Sequence, residues 1–208
     1  MSEYRTVNGF GRAEIEEKRS VFIGSADFVT TEEEATRFVE RIRGEFPDAR
    51  HNVYAYLLRE GAKTRYSDDR EPQGTAGLPV LEVLRKNACL DTVIVVTRYF
   101  GGILLGAGGL ARAYTDAAVA ALSAAGRIIR RPALTFGFSC TYAEYPRCEY
   151  LLTQCNAVLE PPEFGAEVFM KYTVPAAESE AVVLRLTDAT NGRILPKKLG
   201  EGWQKIEC

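Results

Sequence analysis

The chain has 208 residues, of which 46% are hydrophobic and 26% charged, with a net charge of −2; this suits one large domain or two small ones and argues against indiscriminate nucleic-acid binding. No stretch approaches the roughly 18 apolar residues of a membrane span, and the segment Met1 to Arg12 has no apolar run, so the expectation is a cytoplasmic protein with no membrane partner. Five cysteines (Cys89, Cys140, Cys148, Cys155, Cys208) without C-x-x-C spacing predict free thiols, and a single histidine, His51, argues against a His-rich metal site.

In chain order, residues 14–29 read as a strand, with Val21, Ile23 and Ala26 set against Ser20, Gly24 and Asp27. The charged run Glu16-Glu17-Lys18-Arg19-Ser20 precedes its apolar part. Thr31 opens a helix whose capping box Glu34 completes. Ala35, Phe38, Val39, Ile42 and Phe46 follow at helical spacing, and Pro47 ends it. Residues 52–59 form an aromatic strand, and Gly61 turns it into a second at 63–66, a hairpin. Thr75 stands where an N-cap belongs, before a helix with Pro79 in its first turn that runs to about Asn87. Residues 91–100 contain Val93-Ile94-Val95-Val96, apolar on both faces, which predicts a central strand. Residues 108–126 form an alanine-rich helix, with Ala113, Ala117 and Ala121 on a close-packing face, and Ile128 and Ile129 begin another strand.

Arg130-Arg131-Pro132 reads as a boundary between a domain of residues 1–134 and one of residues 135–208. The second shows strand (135–142), helix (145–156), strand (157–161), strand (167–175), helix (177–190) and strand (193–199). That order, βαββαβ, is ferredoxin-like, and the whole chain is expected to be α+β.

Two loops carry the chemistry. The first is Ser67-Asp68-Asp69-Arg70-Glu71-Pro72-Gln73-Gly74-Thr75-Ala76-Gly77. Its carboxylates suit a divalent cation, a turn or an arginine partner. Neither a Ca²⁺-loop spacing nor a free geometry at Glu71, which precedes Pro72, favours metal. The second loop places five glycines, Gly101, Gly102, Gly106, Gly108 and Gly109, in nine residues directly after the central strand. Glycine loses much conformational freedom on folding. That density fits bare amides offered to phosphate at a helix N-terminus, or a structural loop packed on the neighbouring helix. Gly106-Ala107-Gly108-Gly109-Leu110-Ala111 formally fits G-x-G-x-x-[G/A], but there is no Asp or Glu between Asp116 and Glu144 to hold a ribose, and no G-K-[ST] follows. Ser67 with His51 and an aspartate could in principle build a hydrolase, on residue types alone. From Thr92 to Arg131 there are five arginines and one acid, a local basic face.

The motifs Tyr66-Ser-Asp-Asp-x-Glu-Pro-x-Gly-Thr-Ala-Gly-x-Pro79 and Val95-Val-x-Arg-Tyr-Phe-Gly-Gly-Ile-x-Leu-Gly-x-Gly-Gly-Leu-x-Arg-Ala-Tyr114 resemble the YigZ/IMPACT family, as do Lys18-Arg19-Ser20-x-Phe22 and Ala49-x-His51. The resemblance implies an N-terminal two-layer α/β domain like one in a small-subunit ribosomal protein and in domain IV of elongation factor G. It also implies a ferredoxin-like second domain. The family's eukaryotic members regulate translation through a partner of a stress kinase, and the resemblance implies no accepted catalytic set. Arg70 stands where the family usually has Gly, and Ala107 where it usually has Thr.

The resulting expectation is a non-enzymatic factor that binds RNA or the ribosome, with no cofactor and no metal. Gly101, Gly102, Gly106, Gly108 and Gly109 would meet phosphate. Arg98 and Arg112 would supply charge, Tyr99 and Tyr114 stacking, and Lys18, Arg19 and His51 would join from other segments. Asp68, Asp69 and Glu71 form a supporting acidic turn. The rival readings are a phosphate-handling or hydrolytic enzyme using the two loops, and a protein-interaction module of a stress-response regulator.

Overall fold

The computed structural model describes residues 2–207. The chain divides into two compact units, residues 4–129 with 207, and residues 130–206 with 2 and 3.

The first unit is built on an antiparallel five-stranded sheet. After β1 (Tyr4–Val7), strands β2 (Gly11–Glu17) and β3 (Ser20–Phe28) form a hairpin, with Glu17 paired to Ser20. The charged run expected to precede a single strand is therefore the hairpin turn itself. Lys18 and Arg19 are its two central residues, at φ 48° and 66°. Helix α1 (Glu32–Glu45) follows, and Thr31 caps it by accepting from the Glu34 amide. Strands β4 (His51–Leu57) and β5 (Thr64–Ser67), helix α2 (Gly77–Lys86), strand β6 (Thr92–Tyr99) and helix α3 (Gly106–Ala125) complete the unit. The strand order is β2-β3-β6-β4-β5, so β6 is central, as its apolar run predicts.

Side chains of β6 alternate between two cores. Ile94 and Val96 join Phe22, Val53, Leu84, Ala117 and Ala121 under α2 and α3. Val93 and Val95 join Phe38, Ile42 and Tyr56 under α1. Both faces are thus covered by helices. Leu84 and Ile94 are fully buried, and truncating either to alanine costs about 2–5 kcal/mol.

Strand β7 (Arg127–Cys140) is continuous through Arg130-Arg131-Pro132, where the sequence suggests a break. Proline is tolerated there because only its amide is missing from the ladder. In the second unit, α4 (Tyr145–Gln154), the short strands β8 (Val158–Leu159) and β9 (Glu163–Phe164), β10 (Val168–Pro175), α5 (Ser179–Ala189) and β11 (Lys197–Glu207) follow. The last strand starts later than the composition suggests. Strand pairing gives β11-β7-β10-β8, the order of a split βαβ unit, with β9 also on β10. Its core holds Phe138, Tyr172, Leu152 and Leu186. Cys140, Cys148 and Cys155 here are free thiols, and Cys89 in the first unit is buried; Cys208 lies outside the described residues. None of the described helices is long and apolar enough to cross a membrane.

Candidate functional site

The site grows from one end of the central sheet. There the start of β4, the end of β6 and the hairpin turn before β3 lie side by side, because His51 is paired with Arg98 and Arg98 with Phe22. Cross-strand partners share a face. Arg98 therefore points to the side covered by α2 and α3, and Tyr99 points to the other.

The acidic loop is a clasp. Asp68 accepts from the amides of Gly74, Ala76 and Gly77 at 2.9, 3.1 and 2.8 Å, which satisfies the N-terminus of α2. The expected cap, Thr75, instead donates to the Pro72 carbonyl at 2.6 Å. The cap is remote because Gly77 sits hard against β5: a Cβ there would lie 2.7 Å from the Ser67 backbone. Asp69 accepts from the Asn52 amide at 2.6 Å, and its carbonyl accepts from His51 Nδ1 at 2.8 Å. Arg70, at φ 70°, donates to the Arg50 carbonyl. Its left-handed backbone gives a physical reason for the glycine that the resemblance places there.

Glu71 closes the clasp in the interior. It accepts from Arg98 at 2.5 Å and from the Tyr114 hydroxyl at 2.9 Å, with His51 Nε2 3.9 Å away. Arg98 is 6% exposed, lies over the Phe22 and Phe100 rings, and leaves its buried Nε without a partner. Burial, and then the Glu71 carboxylate, push the Tyr114 phenol far above its ordinary range. The three carboxylates thus serve the chain's own donors, the turn-forming and arginine-pairing role. No group of three or more potential ligands suited to a metal occurs among the described residues.

Several expected site residues are placed differently. Arg98 and Tyr114 offer neither charge nor a stacking face to a ligand, because the buried Glu71 takes both. His51 belongs to the clasp. Tyr99 faces away and donates to Asp48 at 3.0 Å. Arg112 is exposed on α3 but lines a groove toward α2, with Pro79 and Lys86 opposite.

The glycine loop is open. Gly101 donates its amide to Ser20 Oγ at 3.1 Å, and a Cβ there would overlap the Arg19 carbonyl. The Lys18–Arg19 turn is therefore seated directly on the loop. Gly102, Gly106, Ala107 and Gly108 are exposed, and no side chain caps α3. Around them Phe100 is 47% exposed and Leu104 83%. Leu104 was invisible as a surface residue in the sequence; its only signal is an apolar side chain between glycines that no periodicity places in a core.

Comparison with known proteins matches residues 18–122 to the Impact N-terminal domain and residues 138–193 to a domain of unknown function, DUF1949. The IMPACT family member YvyE of Bacillus subtilis is 37% identical, over 93% of this chain and 89% of its own length. The IMPACT family member YigZ of Escherichia coli is 35% identical, over 85% and 88%. A solved structure described as that of a hypothetical protein matches with a TM-score of 0.61 at 32% identity, covering 96% of this chain and 98% of its own.

Proposed function

The chain belongs to the IMPACT family, and from the surface formed by its hairpin turn and glycine loop we propose that it is a non-enzymatic factor that binds RNA or the ribosome and influences translation. The observation that carries this reading is the Lys18–Arg19 turn. Both residues hold positive φ in a two-residue hairpin, the geometry that Asn-Gly adopts most cheaply. A non-glycine residue in the left-handed region costs roughly 1–2 kcal/mol. Strain held at two exposed cations beside an open glycine loop supports a binding role for their side chains.

The chemistry is complementary to phosphate. The uncapped start of α3 carries partial positive charge, its glycines admit close approach, and Lys18 and Arg19 add two full charges. Phe100 offers an exposed ring for a base. The acidic loop serves this surface indirectly: it fixes Arg98 and Tyr114, and so the ends of β6 and α3 that frame the loop.

The test is Lys18→Asn/Arg19→Gly. The variant should be more stable by about 1 kcal/mol or more, since the turn strain is relieved, while RNA binding or co-sedimentation with ribosomes weakens. Stabilisation with undiminished binding would remove the turn from the interface. The exposed apolar group Phe100, Ile103 and Leu104 favours a second reading, a protein partner in translation control. Crosslinking through this loop that captures one protein and no RNA would favour it.

A further inference from the structure

Two hollows share Lys86, at the end of α2, as a lining residue. The first, about 330 Å³, lies between the helices and is lined by Pro79, Glu82, Val83 and Lys86 from α2 and by Ala111, Arg112 and Thr115 from α3. The second, about 460 Å³, is lined by Arg5, Lys86, Asn87 and Arg127, with Cys89 and Ile129. Arg5, Lys86, Arg112 and Arg127 are all exposed, and no ion pair neutralises any of them among the described residues. Among the described residues the one carboxylate lining the hollows, Glu82, is engaged by Arg85 at 2.8 Å.

Helix-end electrostatics account for part of this. Lys86 closes α2, where a cation is favoured. Arg127 directly follows Gly126, the C-cap of α3, so the same cause reaches it, whereas Arg5 lies in β1 and belongs to no helix. Arg5 is held through its backbone and Arg127 through its guanidinium. Leu90 donates its amide to the Arg5 carbonyl at 2.9 Å, and Arg127 donates through one terminal nitrogen to Asn87 Oδ1 at 3.0 Å. Asn87 is itself tied to the Val83 carbonyl at 2.8 Å. Arg127 is thus oriented with its other donors available. Four unneutralised cations collected on one side of a chain with net charge −2 make a local field for a polyanion.

Resting on the RNA reading above, we infer that this joined pair of hollows is a phosphate track, over which a single-stranded segment of the RNA runs along the outer side of α3 past Arg112, Lys86, Arg127 and Arg5. The hollows are open, and four of their twelve lining residues are cations against a single carboxylate. From Arg112 to the end of α3 is about 20 Å at 1.5 Å per residue, long enough for several nucleotides of a single strand.

The experiment measures fluorescence anisotropy of a labelled 20-nucleotide single-stranded RNA against the full chain, over a range of salt. Wild type is compared with Arg5→Glu/Lys86→Glu/Arg127→Glu and with the Lys18→Asn/Arg19→Gly turn variant. Loss of three contacts should reduce the slope of log affinity against log salt by about 2 and weaken binding on the order of 50-fold at 0.15 M salt. Circular dichroism checks that the triple variant is folded, and a Gln triple variant replaces it if it is not. A triple variant that binds as wild type does, while the turn variant binds weakly, overturns the track and leaves the glycine-loop reading intact. Wild type that does not bind this RNA overturns the track, and wild type that also fails to co-sediment with ribosomes overturns the proposed function as well. Loss of pyrophosphate binding in the triple variant with unchanged RNA affinity would reassign the trough to small phosphorylated ligands.

Discussion

Helices α2 and α3 lie on the same face of one sheet and enter it from loops of opposite chemistry. The entry to α2 is closed. Asp68 takes three amides, Glu71 takes Arg98 and Tyr114, and Asp69 fixes the start of β4. The entry to α3 carries no side-chain cap and is lined by exposed glycines. Neither helix has an acid in its first turn, but a distant carboxylate reaches the amides of α2 alone, and the open start of α3 is what the proposed RNA contact requires. The acidic loop is framework; the glycine loop is surface.

The largest effect expected from breaking this contrast is at Glu71. Glu71→Ala leaves the Arg98 guanidinium buried without its counter-charge, so urea unfolding should show a loss of about 3–5 kcal/mol. Asp68→Ala removes the cap of α2 and should lower stability by about 2 kcal/mol by the same measurement. A loss under a few tenths at either position would mean that the clasp is ornamental.

Tyr114 sharpens the comparison through pH. Its folded-state value is raised, first by burial and then by Glu71. The unfolded chain therefore gives up this proton at the ordinary phenol pKa, near 10, while the folded chain keeps it. The stability that Tyr114 contributes is present below that pH and is lost as pH rises beyond it. Tyr114→Phe should cost about 1 kcal/mol at neutral pH through the lost hydrogen bond, yet flatten the alkaline limb of a stability-against-pH curve.

The smallest effect on stability, and the most telling for function, is expected at Gly108. A Cβ there meets nothing within 4 Å, so Gly108→Glu is sterically free. It places an acid in the first turn of α3, which should leave stability unchanged or raise it by about 0.3–1 kcal/mol. RNA binding should fall, because the entry to α3 would then resemble the entry to α2. Unchanged binding would show that this helix start is not part of the interface.

The sequence alone determined a good deal. The apolar run Val93 to Val96 identified a central strand, because only a strand covered on both faces tolerates it. Thr31 and Glu34 marked the start of α1, and the strand and helix order after residue 135 specified the split βαβ unit. The density of glycines located the open loop. Local patterns carry such features because burial and capping act over a few residues.

What the tertiary structure decided was direction and partnership. Arg98 and Arg112 look alike as sequence, but strand alternation turns Arg98 under two helices onto Glu71, 27 positions away, and leaves Arg112 facing α2. Thr75 looked like the cap of α2, while the cap is Asp68, reached by a loop that folds back on itself. Arg5, Lys86 and Arg127 are scattered over more than 120 positions and meet only because β1, the end of α2 and the start of β7 converge. Long-range pairing of this kind is set by sheet register and packing, which no window of neighbouring residues contains.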